Sequence, residues 1–350
     1  MYDIFLTITK LHQVNLVLSF KLTNIPIVKN QQKSELNFFS KYRVAVPSIS
    51  FGKSSILRDE LQQVFPNSFF NNRGVRFSET ELIEFLKGAD AAIIGVEPVT
   101  DQVLNKTGQL KIISKYGVGL DSIDQVSLKK KNIALGWTGG VNRRSVSELT
   151  LCFMLGLCRN VFASGYSLKN SKWEKEGGWQ LSGKTIGIIG CGYVGSDLIK
   201  LLEPLECKIL IYDIVDKSKF CMEHNATQTN LENLTAKSDI ISMHVPLTSL
   251  TSEMVDKKFI NQMQTTAYLI NTSRGEVVNQ NDLKSALIMN KIAGAALDVF
   301  AEEPPSDDDF LLLPNLMVSP HIGGNAKEAV EAMGRSAINH LVSFFKNYPK

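Results

Sequence analysis

The sequence has no unbroken apolar run of 18 residues, so it offers no segment that crosses a membrane as a single helix. It has only five cysteines, Cys152, Cys158, Cys191, Cys207 and Cys221, and no CxxC pair among them. That argues against a disulfide framework and fits a reducing, cytoplasmic compartment. No metal site is expected. There is no basic run, and 38 basic against 35 acidic side chains leave a net charge of only +3. So slight an excess does not suggest a nucleic-acid partner. Internal repeats and low-complexity tracts are also absent. The first forty residues mix apolar positions with Lys10, His12, Gln13, Lys21 and Asn30 to Lys33. They form no clean apolar core with a cleavage site, so a signal peptide is not expected. Residues 1–40 are read as a poorly ordered extension or an early start codon.

What is present is a chain of 350 residues, 44% hydrophobic. That is enough for a large core and suggests two domains. From Tyr42 onward, short β-branched runs alternate with helical patterns. Strands are predicted at 43–46, 91–96, 111–115 and 132–135, and helices at 54–63 and 121–130. A segment at 142–166 is apolar on nearly every face. A helix of that kind must be buried, either inside the chain or against a partner subunit. A second alternation follows, with strands at 185–189, 208–212, 240–244, 267–271 and 295–299. The chain closes with a helix over 326–345. This pattern predicts an α/β protein of two Rossmann-like, doubly wound parallel-sheet domains, with the active site in the cleft between them. The expected boundaries are 41–138 plus 325–350 for a substrate-binding lid and 139–324 for a nucleotide domain.

The segment Gly190-Cys191-Gly192-Tyr193-Val194-Gly195 fits GxGxxG. Alone this pattern is weak; here an apolar strand precedes it and a helix follows. Gly190 permits the tight turn, Gly192 lets the backbone approach a pyrophosphate, and Gly195 lets helix pack on strand. Asp213 ends the next strand, 18 residues after Gly195. A carboxylate there accepts hydrogen bonds from the adenosine ribose and repels a 2′-phosphate, which favours NAD over NADP. Lys217, four residues on, is a nearby cation.

Three later segments each carry a charged or titratable residue just past an apolar strand: Asn271 to Gly275, Asp298 to Pro304, and Ser319 to Gly324. Strand C-termini are where ligands sit in an open parallel sheet. The arginine, glutamate and histidine found there suit hydride transfer to a 2-keto acid. Arg274 can hold a carboxylate by two hydrogen bonds. His321 can give a proton to the carbonyl oxygen or take one from the hydroxyl. Glu303 beside it would favour the imidazolium and fix its ring. Lys115 stands just before the Gly117-Val118-Gly119 turn, with Arg143 and Arg144 at a helix start. A cation there would suit a second anionic group on the substrate, such as a phosphate; bracing of the lid is the alternative.

These motifs, with His244-Val245-Pro246-Leu247-Thr248, Val141-Asn142 and Ser147-Glu148, resemble the D-isomer-specific 2-hydroxyacid dehydrogenase family, and within it the phosphoglycerate dehydrogenase branch. The resemblance covers about residues 42–348. It implies that Arg274, Glu303 and His321 are the catalytic positions, and that Lys115, Gly117, Val118, Gly119 and Arg274 meet a small 2-hydroxy or 2-keto acid, 3-phosphoglycerate among the candidates. It places Val118, Tyr193, Val194, His244, Val245, Pro246, Thr272, Ser273, Arg274, Asp298, His321 and Gly323 around the cofactor, beside the three glycines and Asp213. It implies a homodimer through the nucleotide domain and the 142–166 helix. No regulatory domain is expected after the last helix. Glu303 argues against the formate-oxidising branch, which has glutamine there. Two readings stand beside the main one: a hydroxypyruvate or glyoxylate reductase, and an NAD(H)-sensing scaffold of the same fold. The presence of all three catalytic side chains disfavours the scaffold.

Overall fold

A computed structural model of the protein describes residues 38–348. Most of the expected N-terminal extension lies outside the described residues. The strands are β1 (Val44–Val46), β2 (Ser68–Phe70), β3 (Ala91–Ile94), β4 (Ile112–Lys115), β5 (Ala134–Gly136), β6 (Thr185–Ile189), β7 (Lys208–Tyr212), β8 (Ala226–Gln228), β9 (Ile240–Met243), β10 (Tyr268–Asn271), β11 (Gly294–Leu297) and β12 (Leu316–Val318). They form two sheets, ordered β2-β1-β3-β4-β5 and β12-β11-β10-β9-β6-β7-β8. Every pairing is parallel. Central strands such as β1, β3 and β9 are buried at every position. Such continuous apolar runs are what a sheet covered by helices on both faces demands.

In each sheet the strand order reverses once, between β1 and β3 and between β6 and β9. The two reversal points face similar crowding. A Cβ on Gly95 would meet Ser48 Oγ at 2.7 Å, and one on Gly190 would meet the His244 carbonyl oxygen at 2.6 Å. Crevices at such points are the general ligand sites of open α/β sheets.

The segment expected as one long helix is two. Helix α1 (Arg143–Cys158) and helix α2 (Val161–Lys169) meet at a bend of 65°. Asn160 at the break has φ 52°, a left-handed conformation that asparagine tolerates better than most residues. In α1, Val146, Thr150, Phe153, Met154 and Cys158 are buried at helical spacing, and α2 buries nothing. No single helix among the described residues is long and apolar enough to cross a membrane. The helix expected from Asp121 begins only at Gln125, capped by Asp124, whose side chain accepts from Ser127 N at 2.9 Å. Asp121 is thereby left on a loop.

Helix α3 (Tyr193–Leu202) follows the glycine loop. The last helix, α4 (Lys327–Asn347), returns to the first sheet, where Met333, Ala337, Ile338, Leu341 and Phe345 join the core around β1. That core begins earlier than the sequence suggests. Phe39, read as part of the extension, is 4% exposed and its ring lies 5.0 Å from that of Phe65. Phe39→Ala should therefore cost about 3–5 kcal/mol. Thermal unfolding measures this, and an unchanged melting temperature would remove Phe39 from the core.

Candidate active site

The glycine loop is built as its residue types allow. Gly190 has φ +93°, and Gly195 sits so tightly that a Cβ would lie 2.2 Å from the Gly190 carbonyl oxygen. Gly192 is different: a Cβ there meets nothing within 4 Å. It precedes α3, whose N-terminus has no side-chain cap. The loop therefore presents open backbone and unsatisfied N–H groups, the arrangement that receives a pyrophosphate. Tyr193 is exposed and its ring stands against Gly139 and Gly140, where the chain leaves the first sheet. Val194 offers its carbonyl to Ser147 Oγ at 3.3 Å.

Asp213 follows β7 as expected, but it also braces the loop. Its Oδ2 accepts from Cys191 N at 2.8 Å and its Oδ1 from Val215 N at 2.9 Å. Lys217 Nζ lies 3.7 Å from Oδ2 and partly offsets its charge. His244 is bonded to Ser242 Oγ at 2.9 Å, and desolvation pushes its pKa down to about 3, so the ring is neutral. Val245 packs on the second sheet's core, and Pro246 accepts from Thr251 Oγ1 at 2.6 Å. These residues fit a bound dinucleotide.

The turn after β10 is organised by a residue that carried no expectation. Asn271 is fully buried. Its Oδ1 accepts from Ser273 N and Oγ at 3.0 and 2.8 Å, and its Nδ2 donates to the Arg274 carbonyl at 2.7 Å. Thr272 pairs its hydroxyl with Thr150 at 3.0 Å. The strand thus ends in a rigid platform for the Arg274 side chain. Gly275 continues it under Phe300, whose backbone carbon would lie 1.9 Å from an added Cβ.

The loops after β11 and β12 are locked to each other through Asp298, which is 1% exposed. Its Oδ1 accepts from Ser319 Oγ at 2.5 Å and Ile322 N at 2.8 Å, and its Oδ2 accepts from Gly323 N at 2.7 Å. His321 N donates to the Asp298 carbonyl at 2.8 Å. The His321 backbone is left-handed, with φ 54°. This strained position aims the ring at Glu303. Nδ1 lies 2.9 and 2.8 Å from the two Glu303 carboxylate oxygens, and Phe300 N donates to Glu303 Oε1 at 3.2 Å. With Nδ1 engaged, Nε2 is the ring nitrogen left for chemistry.

Arg274 and His321 follow strands two positions apart in the second sheet, β10 and β12, and the first domain reaches Arg274 with its glycine turn. A Cβ on Gly119 would come within 1.8 Å of Arg274 Nη2. Val118 offers its carbonyl to Trp137 Nε1 at 2.9 Å. Gly117 takes φ +119° beside the Lys115 stem.

Lys115 is not the free cation that the sequence suggests. It is 6% exposed and donates through Nζ to the Gly95 carbonyl. Burial pulls its pKa down to about 8, against the opposing pull of Glu97. Glu97 is 6% exposed, accepts from Gly95 N at 2.7 Å, and has its pKa raised by the same desolvation. The two helix-start arginines are also engaged, Arg143 with the Gly140 carbonyl at 3.3 Å and Arg144 with Asp197 at 3.0 Å.

Comparison with known proteins agrees with this architecture. Residues 151–323 match the family model of the D-isomer specific 2-hydroxyacid dehydrogenase NAD-binding domain. The chain is 36% identical over 275 residues to the glyoxylate reductase of Thermococcus litoralis, spanning 76% of this chain and 83% of that one. It is 34% identical to the hydroxypyruvate reductase of Thermotoga maritima over 75% of this chain and 86% of that one. The crystal structure of D-lactate dehydrogenase from Aquifex aeolicus, complexed with NAD and lactic acid, superposes with a TM-score of 0.75 at 26% identity, covering 87% of this chain and 95% of that one. With two parallel sheets, a dinucleotide loop at the reversal point of the second, and this degree of likeness across both, the chain belongs to the D-isomer specific 2-hydroxyacid dehydrogenase family, as an NAD-dependent oxidoreductase.

Proposed function

We propose that the protein interconverts a small 2-keto acid of single negative charge, of the glyoxylate or hydroxypyruvate kind, with its D-2-hydroxy acid. The observation that carries the reaction is the His321–Glu303 contact at the end of β12, with Arg274 opposite on β10. When bound, NADH supplies the hydride. Arg274 holds the substrate carboxylate and orients the adjoining carbonyl. Protonated His321 donates from Nε2 to the carbonyl oxygen as negative charge develops there, and accepts that proton in the reverse direction. Glu303 acts through His321, fixing its ring through Nδ1. Thr272, Ser273 and Asp298 shape the nicotinamide side of the site, and Asp213 receives the adenosine ribose. The cleft between the two domains is where these groups meet.

The burial of Lys115 bears on the charge of the preferred substrate. Lys115 is buried and bonded to the Gly95 carbonyl, so it does not stand open to a second anionic group, and this favours a singly charged acid over 3-phosphoglycerate. Relatives of similar identity are named for glyoxylate, for hydroxypyruvate and for D-3-phosphoglycerate, so activity decides between them. A panel of glyoxylate, hydroxypyruvate, pyruvate, 2-oxoglutarate and 3-phosphohydroxypyruvate with NADH tests it. Glyoxylate or hydroxypyruvate should have the highest kcat/KM, and Lys115→Met should alter all five by similar factors. A preference for the phosphorylated acid that Lys115→Met abolishes would overturn this reading.

The assembly that fits the surface is a homodimer. Leu155, Val161, Phe162, Tyr166, Trp173 and Trp179 are all exposed along α1, α2 and the segment that follows. A cluster of this size is unusual on a lone chain and typical of an interface core. Sedimentation should give the mass of two chains, falling to one with Phe162→Asp. A wild-type monomer at micromolar concentration would refute the dimer. Five free cysteines suit a cytoplasmic setting.

A further inference from the structure

Arg274 is shared between the two domains. Its Nε donates to Asp121 Oδ2 at 2.8 Å, and its Nη2 lies 2.8 Å from the same oxygen. Its Nη1 donates to the Ser273 carbonyl at 2.7 Å. A guanidinium has five N–H donors in a fixed plane. Asp121 takes the side edge and Ser273 one hydrogen of Nη1. One hydrogen on each of Nη1 and Nη2 remains, and these form the end-on pair, an edge that matches a carboxylate.

Asp121 is itself firmly mounted. Its loop is stitched to the first domain by Val99 N to the Ser122 carbonyl at 2.7 Å, Asp124 N to the Val99 carbonyl at 2.9 Å and Ile123 N to the Leu120 carbonyl at 3.0 Å. Two residues earlier, Gly119 leaves the guanidinium room that no Cβ would allow. The ion pair is partly solvent-facing, with side chains 28% and 43% exposed. Such a pair adds little to fold stability. Its consequence is directional: with Asp121 on the side edge, the first domain fixes the direction in which the unoccupied end-on edge points.

We propose that Asp121 is a positioning residue, a clamp from the substrate-side domain that presents the end-on edge of Arg274 to the substrate carboxylate. This rests on the reading of Arg274 as the carboxylate holder. Carboxylate capture then depends on the first domain being docked, because without Asp121 the long arginine side chain samples other rotamers.

The test uses full-length Asp121→Ala and Asp121→Asn, with Arg274→Lys in parallel, assayed on glyoxylate and hydroxypyruvate at saturating NADH. NADH binding is followed by fluorescence and folding by thermal melting. Losing a charge-assisted hydrogen bond predicts a KM about 10- to 100-fold higher for Asp121→Ala. Asp121→Asn, which keeps an acceptor oxygen, should fall between it and wild type. NADH affinity, the melting temperature and the pH profile should be unchanged, and kcat should move less than KM. An unchanged KM in Asp121→Ala overturns the clamp, and a lower KM shows instead that Asp121 competes with substrate. A joint fall in melting temperature and NADH affinity assigns it a merely structural role. If Arg274→Lys leaves KM unaltered, it is the reading of Arg274 that fails.

Discussion

His321→Ala should lower the maximal rate of keto-acid reduction by ~100- to ~10,000-fold, the usual contribution of a positioned acid–base group. NADH affinity should change little, because the loop around the ring is fixed by other atoms. Asp298 receives Ile322 N and Gly323 N through its carboxylate, and the His321 backbone N–H bonds the Asp298 carbonyl. None of these bonds uses the imidazole. Stopped-flow binding alongside steady-state turnover measures the two effects separately, and a loss confined to NADH binding would contradict the proposed proton transfer. Alanine also has to adopt the left-handed backbone at 321, so His321→Asn is the better control for strain. Both should be inactive to a similar degree.

Glu303→Gln tests the same site through its geometry. In the wild type both carboxylate oxygens lie within 2.9 Å of His321 Nδ1 and hold the ring with Nε2 free. An amide keeps one acceptor oxygen and replaces the other with a donor, so the ring is held less firmly. The maximal rate should fall, though by less than in His321→Ala, with NADH affinity unchanged. Steady-state turnover beside NADH binding measures this, and an unchanged rate would break the His–Glu pairing.

The architecture was legible where physics is local and repetitive. The strands β1, β3, β6 and β9 are largely apolar and buried, and each appears within one or two residues of its expected place. The two strands that escaped, β2 and β8, are three-residue edges of the two sheets. Edge strands are half-solvated, so Ala226–Gln228 carries no run of apolar residues to announce it. The break between α1 and α2 was hidden for the opposite reason. Leu157, Val161 and Phe162 keep the apolar pattern going across Asn160, and only a left-handed residue at that point ends the helix.

The site shows the same division. Glu303 and His321 could be paired from the sequence because both follow strands of one sheet. What Asp298 and Asn271 do could not, since each acts by bonding backbone N–H groups of a loop, and no residue type marks the receiving end. Asp298 reads as a cofactor-side group by resemblance, and its oxygens also hold the His321 loop. For Lys115 the sequence left two readings open, a cation facing the substrate or a brace of the lid. Its burial and its bond to the Gly95 carbonyl fit the brace, and only the β3–β4 pairing brings that strand end beside it. Asp121 was concealed because its predicted helix begins four residues too early.

Gly195→Ala should abolish measurable NADH binding and lower the melting temperature, whereas Gly192→Ala should weaken NADH without touching stability. The difference lies in what each new Cβ would meet. At Gly195 it falls 2.2 Å from the Gly190 carbonyl oxygen and 3.1 Å from Ile188 Cγ2. The first contact is backbone, held by the bond from Gly190 N to the Tyr212 carbonyl at 2.8 Å, so no side chain can rotate aside. Helix α3 must shift instead, and overpacking of this kind typically costs about 1–3 kcal/mol. The shift also carries the uncapped N-terminus of α3 away from the turn, and the N–H groups there act on a phosphate only at hydrogen-bond range. At Gly192 the same methyl meets nothing within 4 Å in the protein, and its φ of −86° is ordinary for alanine. Any loss of NADH affinity in Gly192→Ala must then come from the ligand that the methyl obstructs. A Gly192→Ala protein with wild-type affinity for NADH would show that the pyrophosphate does not pass over this residue, and the loop's role would have to be assigned again.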